Sequence, residues 1–458
     1  MVSGDLSISA HARAVLRLGL PLIGSHLAQF AVVIIDTVML GWYGVDALAA
    51  VTLGGAAFSL FLLVGSGFAW AVMPVVAGAA AAGRQRQVRR VTRMAMWLSA
   101  LAAGFGVATF MFAELLFLAL GQEAGVARDA ARYLGIAGWG LFPALQVMVL
   151  KSYLSALERT RVLLVVTILA AVLNGALNYA LIFGNWGAPE MGLRGAAIAS
   201  VIMHAASFAA LALHAAFSTP EHALFRRLWF PDREAFARIF ALGWPIGLTT
   251  LSETGLFSAV AVMMGWIGTV ELAAHGVALQ LAALTFLVQV GLSQVATIRA
   301  GQALGRGDAA GLRRGALAVI AIGAIFALAA VALFLSIPER LIALFLDPGD
   351  PRRAQVIEVG AQLLAVAALF QLADGGQVLA LGLLRGVQDT RVPMLIAALA
   401  YWPLGLGAAW LLGFALGLGH VGVWLGLVVG LGTAAVLMMV RFWRREDGWL
   451  AAGARVGG

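Results

Sequence analysis

Of 458 residues, 62% are hydrophobic and 11% charged, where soluble domains average about 45–50% apolar and about 25% charged. The excess runs along the whole chain, so one soluble core cannot absorb it, and the stretches between apolar runs are too short for a soluble domain. The net charge of +8 sits in short loops rather than on a nucleic-acid-binding face, and the absence of Cys excludes disulfides and thiolate chemistry.

About 20 apolar residues span a bilayer. Hydropathy, with breaks at Gly, Pro and Arg, predicts helices at 14–40, 47–78, 91–120, 128–152, 162–184, 191–217, 238–266, 272–299, 313–336, 354–384, 392–417 and 420–442. The first, within "HARAVLRLGLPLIGSHLAQF", resembles a signal peptide, but its apolar run continues past any cleavage site and reads as a retained helix. The fold class is an all-α polytopic membrane protein.

Several helices carry polar residues that lipid would penalise. In the first, Ser25, Gln29 and Asp36 stand at i, i+4 and i+11, one helical face. The fifth carries Asn174 and Asn178, the seventh Thr249, Ser252 and Glu253, and the eighth Gln280, Gln289 and Gln294. In the tenth, Gln371, Asp374 and Gln377 are spaced by three. An Asp at the centre of a membrane helix costs about 2.5–3.5 kcal/mol. Such acids usually face a cavity and mark an ion or substrate path, because binding a proton or a cation neutralises them. Asp36, Glu253 and Asp374 are therefore candidate coupling residues. For the Asn and Gln residues, hydrogen bonding between helices stands as an equal alternative.

Loop charges set the orientation. Alternate loops hold 24 basic residues, Arg455 among them, on one side and six on the other, which places both termini in the cytoplasm. The chain also repeats. Residues 18–50 align with 242–274 without a gap, at an offset of 224, with 12 of 33 positions identical. Arg89-Arg90 recurs as Arg313-Arg314, and "ERTR" at 158–161 recurs as "QDTR" at 388–391. Two halves of six helices therefore cross in the same sense, as a parallel repeat. The expected organisation is an N-terminal lobe at 1–217, a cytoplasmic linker at 218–237 and a C-terminal lobe at 238–458. The acids do not repeat: Asp36 falls opposite Val260, Glu253 opposite Gln29 and Asp374 opposite Ala144. The halves share a scaffold, and each carries its own chemistry.

Enzyme signatures are missing. The only Lys, Lys151, lies outside any phosphate-binding loop, and the seven His residues are scattered with no HExxH.

The segments "LGLPLI…IIDTVMLGWYG", "LGWPIGLTTLSETGLFSAVAVMMGWIGTVELAAHGVALQ", "ATIRAGQALGRGD" and "QLADGGQVLALGLLRGVQDT" resemble, in order, the multidrug and toxic compound extrusion (MATE) family, most closely its bacterial NorM branch. The resemblance implies two six-helix lobes facing a central cleft in a bacterial inner membrane. It implies a monomer that exports bulky hydrophobic organic cations against inward H⁺ or Na⁺, with no cofactor. Asp36 then matches the first-lobe acid, with Asn174 and Asn178 around it. Glu253 and Asp374 match the second-lobe acids, where a Na⁺ would bind. Pro21 matches a proline associated with helix bending. Gln29, Phe257 and Gln280 fall among cleft residues. Phe370 is a departure: some Na⁺-coupled relatives carry a Tyr there, and Phe offers a hard cation no oxygen. Export of a lipid-linked or amphipathic metabolite is the alternative; such a cleft should be basic, and this one reads as acidic.

Overall fold

The computed structural model describes residues 8–445 and 448–449; Arg455 and the rest of the expected tail lie outside the described residues. No strand occurs among the described residues. Among the described residues, twelve helices are long and apolar enough to cross a membrane: α1 (Ala10–Tyr43), α2 (Ala47–Ala81), α3 (Gln85–Phe110), α4 (Ala124–Ala156), α5 (Thr160–Phe183), α6 (Leu193–Ser218), α7 (Arg233–Ile267), α8 (Thr269–Arg306), α9 (Ala309–Ser336), α10 (Arg353–Gly386), α11 (Arg391–Ala415) and α12 (Gly419–Arg444). Many outrun their apolar stretches. For example, α7 begins at Arg233, a turn before the expected 238, because a helix satisfies its own backbone and can continue into the polar layer. Asp308 caps the start of α9, its side chain accepting from the Gly311 amide at 2.8 Å.

Three helices depart from the expected form: that expected at 91–120 breaks after Phe110, with a separate short helix at Ala113–Ala119, α4 carries a 3₁₀ turn at Gly138–Gly140, and α11 changes its turn width. In place of a plain α-helix at 392–417, α11 is π-helical over Ala400–Leu406 and again over Leu411–Ala415. Pro403 lies inside the first of these segments. A proline removes one backbone donor and its ring collides with the preceding turn, and a widened turn accommodates both.

The chain forms two compact units: a first of Gly24–Gly247, and a second of Met1–Ile23 with Leu248–Gly458. Both boundaries fall in mid-helix, 224 residues apart, which is the offset of the repeat. α1 starts in the second unit and ends in the first; α7 does the reverse. Pro21 and Pro245 lie inside these helices, each just ahead of the change.

Small residues and hydroxyls hold each unit together, as expected where lipid supplies no hydrophobic drive. In the first unit α2 meets the start of α7 backbone to backbone, beside the stacked rings of Phe68 and Phe240: a Cβ added at Gly67 would lie 2.3 Å from the Gly243 carbonyl oxygen and 2.5 Å from the Gly247 nitrogen. A cluster including Phe110, Phe117, Leu134, Leu141 and Leu145 fills the space beside it. In the second unit α8 lies along α10. Ser293 donates to the Val378 carbonyl at 2.6 Å and Thr297 to that of Gly382 at 2.8 Å. The start of α1 joins this unit through His11, 2.6 Å from Arg299.

Candidate functional site

In the first unit the polar faces of α1 and α5 meet. Ser25 and Thr167 share a hydrogen bond of 2.9 Å. Three turns further along, Asn174 and Asn178 both donate to one oxygen of Asp36, each at 2.6 Å. The spacing explains the match: Ser25 and Asp36 are eleven residues apart on α1, as are Thr167 and Asn178 on α5. Both asparagines are fully buried, Asp36 is half-buried, and both asparagine oxygens lack a partner. Their amide N–H groups are thus directed at the acid, and one carboxylate oxygen holds two donors. Gln29 is half-buried on the same helix.

In the second unit Asp374 is 2% exposed. Its neighbours one turn away on either side tie α10 to other helices. Gln371 donates to the Ala282 carbonyl at 3.4 Å, and Gln377 donates to the Tyr401 hydroxyl at 2.6 Å. Between them the Asp374 Oδ1 is buried with no hydrogen-bond partner, as are Glu253 Oε1 on α7 and Gln377 Oε1. Glu253 lies within electrostatic reach of Asp374, Arg385 and Tyr401. Three buried oxygens without donors are costly unless something binds them. Such a set can take up a proton or bind a hard cation.

The π-helical turn of α11 positions two of the groups around these acids. It turns Tyr401 inward to meet Gln377 and brings the Trp402 indole N–H to 2.8 Å from Ser252 Oγ, next to Glu253. Tyr401 and Trp402 were not expected from the sequence, since their spacing assumes a turn width that hydropathy does not report. Pro403 is the only local signal for it.

Phe370 sits in the core at 2% exposure. It packs edge-on to Phe257, centroids 6.0 Å apart, and to Trp424 at 5.7 Å. Trp424 in turn donates to His275 Nδ1 at 3.1 Å. The aromatic chain links α7, α10, α12 and α8, so the missing hydroxyl at 370 is replaced by ring packing. Gln280 is exposed, and Phe257 is half-buried. The structure therefore groups Asp36 with Asn174 and Asn178 in one unit, and Glu253 with Asp374, Phe257 and Phe370 in the other. Among the described residues, no three His or acidic side chains converge as a metal site.

The MatE family model matches residues 21–180 and 245–411, which contain all three acids. The chain belongs to the MATE family. Members of this family are transporters, not enzymes. Among its MATE relatives, a protein of Agrobacterium fabrum named probable multidrug resistance protein NorM is 44% identical over 442 residues, covering 96% of this chain and 95% of that one. A protein of the same name in Rhizobium meliloti is 45% identical over 447 residues, covering 97% and 96%. The MATE fold recurs in the crystal structure of the eukaryotic transporter AtDTX14, with a TM-score of 0.85 at 18% identity over 97% of this chain and 99% of that one. A MATE crystal structure in the bent conformation gives 0.87 at 19% identity, covering 99% and 100%.

Proposed function

We propose that this MATE transporter exports bulky, hydrophobic organic cations from the cytoplasm in exchange for inward H⁺ or Na⁺, by alternating access. The observation that carries the reading is the pair of acid sites within the helices, Asp36 held by two buried asparagines in one unit and Glu253 with Asp374 in the other. The names of its bacterial relatives, probable multidrug resistance proteins, agree with it.

In this reading the lobes 1–217 and 238–458, joined by the linker 218–237, rock about a cleft in the bacterial inner membrane, with both termini in the cytoplasm. The protein acts as a monomer. Gln29, Phe257 and Gln280 face the transported cation, and the acids balance its charge. A proton or Na⁺ entering from outside neutralises Glu253 and Asp374, or Asp36, and the organic cation leaves. For Na⁺, the Asp374, Glu253 and Gln377 oxygens together with the Tyr401 hydroxyl supply the oxygen ligands that Phe370 lacks. The rocking bends α1 near Pro21 and α7 near Pro245, where each helix passes from one unit to the other.

The test is transport of ethidium by purified protein in liposomes carrying either a Na⁺ gradient or a pH gradient, never both. Transport driven by one gradient alone identifies the coupling ion. Ethidium movement under neither gradient, with protein shown to be folded, overturns the antiport reading.

A further inference from the structure

The segment joining α6 to α7 is clamped to α4 and α3 rather than hanging free. At its start the Tyr153 hydroxyl donates to Thr219 Oγ1 at 2.8 Å and lies 2.6 Å from His222 Nδ1. Further on, Arg93 donates to the Arg227 carbonyl at 3.0 Å, and the Trp97 indole donates to that of Leu228 at 2.8 Å. At its end Arg90 pairs with Asp232 and, at 2.6 Å, with Glu234. Ala223 and Arg227 hold positive φ values of 43° and 56°, a region few non-glycine residues occupy. Fixed at both carbonyls and folded back in this way, the segment buries His222 and Leu224 and turns its later side chains outward. Arg226 and Arg227 are exposed, and Trp229 and Phe230 are 75% and 58% exposed beside them.

The patch is strongly basic. Residues 84–93 and 221–238 carry nine arginines against three carboxylates. Two of those carboxylates, Asp232 and Glu234, are engaged by Arg90. Among the described residues, Arg84, Arg86, Arg226, Arg227 and Arg233 have no ion-pair partner. Arg86, Arg90, Arg93 and Trp97 fall at i, i+4, i+7 and i+11 on one face of α3; the last three hold the strap, and Arg86 stays exposed.

We propose that this strap and the exposed arginines at the start of α3, Arg84 and Arg86, form a binding site for the phosphate headgroup of an anionic phospholipid. A headgroup phosphate complements the unpaired guanidinium groups, and each basic side chain near an anionic surface adds about 1 kcal/mol of attraction. The exposed indole and phenyl rings select a lipid over a free anion, because Trp settles at the headgroup level, where one end is apolar and the other wet. The site rests on the orientation proposed above, which puts this end of the bundle at the inner leaflet. A lipid held here also reinforces the attachment of the strap that leads into α7.

The experiment compares wild type with the triple variant Arg226→Gln, Arg227→Gln, Trp229→Ala. None of the three side chains belongs to the acid sites. Each protein, purified in detergent, is mixed with equal amounts of phosphatidylglycerol and phosphatidylcholine, and retained lipid is read by native mass spectrometry. Wild type should hold phosphatidylglycerol about 30-fold more tightly than the variant does, from two arginines at about 1 kcal/mol each, and millimolar inorganic phosphate should not displace it. Equal retention by the two proteins overturns the site, and displacement by phosphate overturns the lipid assignment. Ethidium transport by the variant in phosphatidylcholine vesicles should equal wild type, which shows that the variant is folded. Because the chain has no Cys, Trp229→Cys reports orientation separately through an impermeant maleimide. Labelling only in inverted vesicles supports the inner-leaflet placement, and labelling in right-side-out vesicles overturns it independently of the lipid result.

Discussion

Gly67→Ala is a small change with a calculable consequence. The added Cβ would meet the Gly243 oxygen at 2.3 Å and the Gly247 nitrogen at 2.5 Å, whereas ordinary contact begins at 3.4 Å. Both obstacles are backbone, so no side chain can rotate away, and α2 and α7 must part by about 1 Å. Overpacking of this kind costs about 1–3 kcal/mol, and a bias of that size between two conformations shifts their ratio roughly 5- to 150-fold. Two readouts check it. Thermal unfolding in detergent should move to lower temperature, and spin labels at Leu60→Cys and Phe240→Cys, both exposed positions, should report a second, longer separation. Gly55→Ala and Gly135→Ala, where an added Cβ meets nothing within 4 Å, serve as controls and should leave melting unchanged or slightly raised. If Gly67→Ala melts like wild type and keeps a single label separation, the backbone contact does not hold α7.

Three further outcomes follow from the geometry. Tyr401→Phe leaves the buried Gln377 amide without its acceptor, which should cost about 1–3 kcal/mol and lower the melting temperature, whereas Trp402→Phe at the more exposed neighbour should cost less. Asn174→Ala and Asn178→Ala remove donors from the same Asp36 oxygen; the double variant should therefore lose more transport than the two single losses combined, and simple additivity would argue against a shared acceptor. The Arg90 guanidinium holds the Asp232 carboxyl below the usual carboxylate range. The Arg90–Asp232 part of the strap's attachment is thus fully present above that range and lost as pH falls through the lowered value. Limited proteolysis should cut at 225–231 only in acid for wild type and already at neutral pH for Arg90→Gln.

How much was legible in the sequence follows from the range of each interaction. Polar stripes at helical spacing mark Asp36, Asn174, Asn178 and Asp374 directly, since 3.6-residue periodicity is local. That α1 would meet α5 through two asparagines sharing one carboxylate oxygen was not legible, because the partners are 138 and 142 residues apart. The repeat aligned Pro21 with Pro245, yet only the contacts show both helices changing unit just beyond these prolines. Phe370 was legible as a missing hydroxyl, but the rings of Phe257 and Trp424 that enclose it come from other helices. Tyr401 was hidden by the π-helical turn, which moves side chains off the face a regular helix would give them. The strap read as an Arg-rich linker; its clamping depends on carbonyls, which carry no sequence signature, and on side-chain pairs 66 to 144 residues apart.

The central claim is that buried carboxylates exchange an organic cation for H⁺ or Na⁺. Asp36→Asn, Glu253→Gln and Asp374→Asn, each reconstituted and shown to be folded and inserted, test it most directly in ethidium transport under the gradient that drives wild type. The account predicts that each falls to, or close to, the background of empty vesicles. Undiminished transport by all three contradicts it.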